Sequence, residues 1–150
     1  MVIQNQIVQF IVMFLVALFL NPMNLLANNL HDIYFSLTSY YSALLMASNM
    51  IWSHQIVHYL NYKSFNKDVF IFGLILSFTL FFFLRYQKGV SSSQWLKRMI
   101  GHHSTALTTT KKLLENPNNF YQNPKLYRLA KDIIYSQERE IIFMKKFLFG

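Results

Sequence analysis

Apolar residues crowd the first 84 positions of the chain and are broken by polar residues at turn-like points. Three long apolar stretches result, at about 3–20, 37–60 and 69–86. Each approaches the length a helix needs to cross a hydrocarbon layer roughly 30 Å thick. Asn21-Pro22 closes the first stretch. That stretch lacks the basic leader and small-x-small cleavage site of a signal peptide, so it reads as a retained helix. The second carries Ser, Thr, Asn49 and two His, a mixture that predicts a helix burying its polar side against other helices. Tyr34, Tyr40, Tyr41, Tyr59 and Tyr62 cluster towards its ends, as aromatic residues do at a membrane interface. The third is framed by Lys63, Lys67 and Asp68 before it and by Arg85 and Lys88 after it.

After Lys88 the pattern changes. Gly89 to Ser93 form a break and supply a helix N-cap. Apolar residues then recur at the 3.6-residue period of an amphipathic helix from about Gln94 to Glu115, along Trp95/Leu96, Met99/Ile100, His103, Ala106/Leu107, Thr110 and Leu113/Leu114. Asn116-Pro117-Asn118-Asn119 ends this helix, and Pro124 opens another. The stripe of the last helix is Leu126, Leu129/Ala130, Ile133/Ile134, Gln137, Glu140/Ile141, Met144 and Phe147/Leu148. The expected fold is therefore all-α. A transmembrane domain at 1–88 precedes an antiparallel helical hairpin at 89–150, with the protein placed as multi-pass in a lipid bilayer.

The two stripes are interrupted by polar groups at matching levels. With the connection centred near Phe120, Leu107 faces Ile133, His103 faces Gln137, Met99 or Ile100 faces Glu140 or Ile141, and Trp95 or Leu96 lies near Met144. A buried His, Gln and carboxylate are costly unless they satisfy one another or hold a ligand. Imidazole takes copper, zinc or iron, thioether takes Cu(I), and a carboxylate or amide can complete the shell. Met99, His103, Glu140 and Met144 are therefore candidate metal ligands, with Gln137 behind them and His102 at the edge of the stripe. The other reading is a hydrogen-bonded layer that fixes helix register without a metal. Met46, Met50, His54 and His58 repeat every four residues along the second stretch. They form a candidate ladder of soft ligands through the membrane, or ordinary helix packing.

Charge adds direction. The net charge is +8, no Lys or Arg precedes Lys63, and twelve of the fourteen lie from Arg85 onward. With three spans, the Asn21–Asp32 loop and the C-terminal part share one side, and the positive-inside rule favours the cytoplasm for it. No RNP-like pattern, zinc finger or phosphate loop accompanies the basic residues, so nucleic acid is not the expected partner. With no Cys in the chain, thiolate metal sites and iron–sulfur clusters are excluded. No Gly-x-Ser-x-Gly elbow, His-Glu-x-x-His or Walker motif is present, and no nucleophile–base pair supports an enzyme.

Arg85-x-Gln87, Trp95-x-x-x-Met99-Ile-Gly-His-His-Ser-x-Ala106 and Leu129-Ala-x-x-Ile133-Ile-x-x-Gln137-x-x-Glu140-Ile-x-x-Met144 together resemble a ferritin-like family of unknown function, number 305 in its series. That signature reads Met-Ile-Pro-His-His with a later Gln-x-x-Glu-Ile-x-x-Met. Tyr34-Phe35-Ser36 and Leu44-Leu-Met46-Ala-Ser-Asn-Met50 resemble its membrane-bound branch, so the likeness covers roughly residues 32–148. It implies a helical bundle and, by some soluble relatives, copper bound through Met and His in metal tolerance. Carried over by position, the implied ligands are Met99, His102, His103, Glu140 and Met144. Gly101 departs from the pattern by replacing the Pro, and His54 by standing where membrane relatives carry Met or an aliphatic residue.

The expected function is a membrane metal-binding protein, most simply for copper, working in metal homeostasis or tolerance. The alternative is a non-catalytic structural or accessory subunit of a membrane complex or virion envelope. A two-helix hairpin is half a four-helix bundle, so a homodimer or a larger assembly is expected in either case.

Overall fold

The computed structural model describes residues 3–116 and 123–150. Among these the chain is all-helical, with α1 at Ile3–Phe19, α2 at Pro22–Leu25, α3 at Leu37–Tyr62, α4 at Lys67–Arg85, α5 at Ser92–Leu114, α6 at Pro124–Phe149 and a 3₁₀ turn at Leu30–Asp32. The expected turn at Asn116-Pro117-Asn118-Asn119 and the loop centre at Phe120 lie outside the described residues, Asn116 excepted. The chain divides into two compact units, Met1–Asn21 with Leu37–Val90, and Pro22–Ser36 with Ser91–Gly150. One boundary falls at Val90/Ser91. The segment Pro22–Ser36 belongs to the second unit. The polar and charged contacts described below hold it there.

The first unit packs α3 against both α1 and α4. Between α3 and α4 the small residues Ser48, Gly73 and Ser77 meet. Ala43, Ala47 and Ser48 are buried on α3, and Gly73 and Ser77 on α4. Ser48 donates to the Gly73 carbonyl at 2.8 Å, and Ser77 donates to Ser48 at 2.9 Å. A Cβ at Gly73 would lie 3.0 Å from Trp52 Cβ, so glycine sets the helix separation. Small residues with inter-helix hydroxyl bonds are the way helices approach where water supplies no hydrophobic force. Asn66 caps α4 by accepting the Val69 N–H, and Tyr41 donates to the Lys88 carbonyl beyond its end.

Two helical stretches, Gln4–Leu25 and Lys67–Arg85, are long and apolar enough to cross a membrane. α3 is longer, but its Ser, Thr, Asn, Gln and His residues leave it short of that apolarity. Composition thus supports two of the three expected spans. The apolar residues of these stretches mostly face outward, including Ile11 and Leu15 on α1 and Phe72, Ile75 and Phe78 on α4.

The second unit is built on α5 and α6, which pack along one another. Ser91 caps α5 through the Gln94 N–H. Asn123 caps α6 through the Leu126 N–H, with Pro124 in the first turn, where its missing N–H costs nothing. Ile100, Leu107, Ile141 and Met144 form its buried core, and Leu96, Met99, Ile134 and Leu148 pack around them. These are the expected stripe positions. Pro22–Ser36 covers α5: Thr105 donates to the Met23 carbonyl, and Met23 Sδ would sit 3.2 Å from a Cβ at Gly101. Gly101 therefore lies mid-helix with a packing role, admitting the Met23 side chain against α5.

Candidate functional site

His103 is buried in the α5–α6 seam, and its imidazole is engaged at both nitrogens. Nδ1 lies 2.7 Å from the Met99 carbonyl, one turn back on its own helix. Nε2 lies 2.6 Å from Glu140 Oε2 on α6. A carbonyl oxygen only accepts, so Nδ1 carries a proton and donates it. A further proton lies between Nε2 and the carboxylate, because two facing lone pairs at that distance would repel. The pair satisfies both groups within the protein, which is what a polar layer in an apolar seam requires.

Counting residues from the loop paired His103 with Gln137, but the structure pairs it with Glu140, one turn further along α6. Helical side chains lean towards the N-terminus of their own helix. Numbers rise along α5 while they fall along α6, as the Lys111–Glu138 contact at 2.9 Å also shows. His103 thus leans towards the level of Glu140, and Glu140 leans back to meet it. The Gln137 amide is left over. It is half-buried, and its Oε1 is shielded from solvent without a hydrogen-bond partner among the described residues.

The remaining expected ligands divide between the core and the surface. Met144 is buried in the apolar core with Met99 packed against that core. His102 is exposed, its ring 6.0 Å from that of His103. No group of three or more His, Asp or Glu suited to a metal ion occurs among the described residues. The His103–Glu140 separation also decides against an ion seated between them in this arrangement. A metal bound to both at about 2.0–2.2 Å would hold the two atoms roughly 3.3 Å apart. As they stand, the two atoms are too close for a tetrahedral zinc to bridge them.

On α3, Met46 and Met50 are exposed, at 53% and 39%, rather than lining an interior path. His58 Nδ1 is bound to the Ser64 carbonyl at 2.9 Å, and the rings of His54 and His58 are 6.1 Å apart. His54 Nδ1 is buried without a hydrogen-bond partner among the described residues.

Asp32 was not singled out by sequence reasoning. It is 3% exposed and joins three elements of the second unit. Its Oδ2 accepts from Ser104 of α5 at 2.7 Å, and its Oδ1 lies 2.5 Å from Lys145 Nζ of α6. Ser104 is fully buried and in turn accepts from the Asn28 backbone N–H at 2.8 Å. A signal was available: Asp32 is the only Asp, Glu, Lys or Arg before Lys63. Arg98 reaches Met23 Sδ at 3.1 Å, and burial lowers its guanidinium from the ordinary arginine value.

This is an all-helical protein whose second unit is centred on a His–carboxylate seam and a buried Asp–Lys clamp. Residues 85–148, which include α5 and all but the last residue of α6, match the domain of unknown function DUF305. The chain is also 35% identical over 136 residues to an uncharacterised protein of Acanthamoeba polyphaga mimivirus, covering 89% of this chain and 84% of that protein. It belongs to the family of that viral protein, and the kinship extends well upstream of residue 85. No solved structure matches the chain at a significant level.

Proposed function

We propose that the chain is a membrane-anchored, non-catalytic assembly protein. In this reading α1, α3 and α4 sit in a bilayer, and α5 with α6 form a hairpin that pairs with a second copy to complete a four-helix bundle. One observation carries it: the outer face of α6 is apolar and uncovered. Ile142, Phe143 and Phe147 are 68%, 52% and 79% exposed on a helix that is not itself a candidate span. Two packed helices bury too little surface to stand alone, and a second copy is the economical partner.

The seam supports the same reading, because His103, Glu140, Asp32, Ser104 and Lys145 spend their polar groups on one another. The outward Phe and Ile residues of α1 and α4 and the small-residue contact of α3 with α4 support the membrane placement. The viral relative suggests a virion envelope or an infected-cell membrane as the setting.

The chain has no Cys, so a single one can be introduced cleanly. Phe143→Cys or Phe147→Cys should give bis-maleimide-linked dimers in native membranes. Adducts of another mass would replace the second copy with a different subunit, and monomer alone would overturn the reading.

A soft metal such as copper is the second reading, favoured by the unpartnered Gln137 Oε1 one turn from Glu140 on the same stripe as Met144. It requires Glu140, whose side chain is half-exposed, to leave His103. Metal analysis of purified protein with and without His103→Ala tests it, and metal retained only by the unmodified chain would favour it.

A further inference from the structure

Gln6 is the least satisfied polar side chain of the first unit. It is 4% exposed, and neither its Oε1 nor its Nε2 has a hydrogen-bond partner among the described residues. It lines a cavity of about 370 Å³ among α1, α3 and α4, whose other walls include Ile7, Phe10, Ile51, Val69 and Phe72. That volume is within the range of small-molecule sites, which combine apolar walls with a few polar groups that fix orientation. A buried amide with unmet donors and acceptor is costly unless something meets it.

The chemistry of the missing partner can be read from the lining. The walls are hydrocarbon, so the body of the ligand is hydrocarbon. The one polar group is a neutral amide offering two N–H donors and one acceptor oxygen, so the ligand's head is uncharged and carries an acceptor beside a donor. Gln6 also lies in the first turns of α1, at one end of the apolar stretch Gln4–Leu25. In a membrane-spanning helix that is the depth at which hydrocarbon gives way to lipid oxygens.

We propose that this cleft is a binding site for a hydroxyl-bearing glyceride, such as a diacylglycerol. Its ester carbonyl accepts from Gln6 Nε2–H, its free hydroxyl donates to Gln6 Oε1, and its acyl chain lies between Phe10, Ile51 and Phe72. The site rests on the membrane placement above, but not on the pairing of α6.

The full chain in phosphatidylcholine nanodiscs tests it, using a diacylglycerol and a phosphatidylcholine that carry the same photoreactive acyl chain. At equal mole fraction the diacylglycerol should label the cleft residues of α1, α3 and α4 at least several-fold more strongly. Gln6→Leu should abolish that preference while leaving the helices in the membrane, and Ile51→Trp should block labelling by either probe. Equal labelling of the unmodified chain by the two probes overturns the site alone. So does an intermolecular disulfide formed by Gln6→Cys, which would place a second copy's α1 in the cleft. Release of the chain from native membranes by alkaline carbonate overturns the membrane placement, and the site with it.

Discussion

Glu140 Oε2 lies 2.6 Å from His103 Nε2, one turn of α6 beyond the residue that faces His103 by count. The pair stands at the edge of the core formed by Ile100, Leu107, Ile141 and Met144. Glu140→Ala leaves a buried imidazole nitrogen without its carboxylate, and a bond of this charge-assisted kind is worth about 1.5–3 kcal/mol. Glu140→Gln keeps an acceptor in place and should cost less, about 1 kcal/mol. Denaturation of the detergent-solubilised chain measures both. A double-mutant cycle with His103→Ala should return a coupling of about 1 kcal/mol or more. Additive single effects would show that the two residues do not hold the seam.

Asp32 and Lys145 form a second and more deeply buried connection. Removing Asp32 strands the buried Ser104 hydroxyl and leaves Lys145, which is 30% exposed, to turn to water, so the cost is about 3 kcal/mol, at the low end for a buried ion pair. Asp32→Ala should therefore destabilise more than Glu140→Ala and free Pro22–Ser36 from α5, exposing the Asn28-Asn29 backbone to protease. Replacing both charges together, Asp32→Asn with Lys145→Met, should be milder than Asp32→Ala alone. Equal protease resistance of Asp32→Ala and the unmodified chain would contradict this role.

Two glycines should respond oppositely to alanine. At Gly73 the new Cβ would meet Trp52 Cβ at 3.0 Å and the Trp52 backbone nitrogen at 3.3 Å, atoms that cannot give way without parting α3 from α4. Overpacking of this kind costs about 1–3 kcal/mol. At Gly101 the nearest atom is Met23 Sδ at 3.2 Å, the far end of a flexible side chain. There the gain in helix propensity, about 1 kcal/mol, offsets the crowding. Thermal unfolding should show Gly73→Ala well below the unmodified chain and Gly101→Ala close to it.

Apolar run length marked α1, α3 and α4, and the 3.6-residue period marked α5 and α6. α1, α3, α4, α5 and the start of α6 all fall within a few residues of the expected stretches, and the buried stripe of α5 and α6 was legible position by position. The level of the polar layer was legible too, but its pairing was not. Side-chain lean, which counting along helix axes ignores, moved the contact from Gln137 to Glu140. The placement of Pro22–Ser36 was hidden for another reason. Its hold on α5 and α6 runs through Asp32, Met23 and Asn28, contacts between residues more than 70 positions apart that no local pattern encodes. The lone charge at Asp32 was the available clue. The resemblance to DUF305 named the right C-terminal domain; of its implied ligands, Met99 and Met144 pack in the apolar core and His102 is exposed.

Native mass spectrometry of the complete chain, released from detergent micelles, tests the central claim most directly because one spectrum reads both subunit number and bound metal. The account predicts a species at twice the 17.8 kDa of one chain, with no mass increment that disappears in His103→Ala. A monomer carrying one copper per chain, lost in His103→Ala, would contradict it.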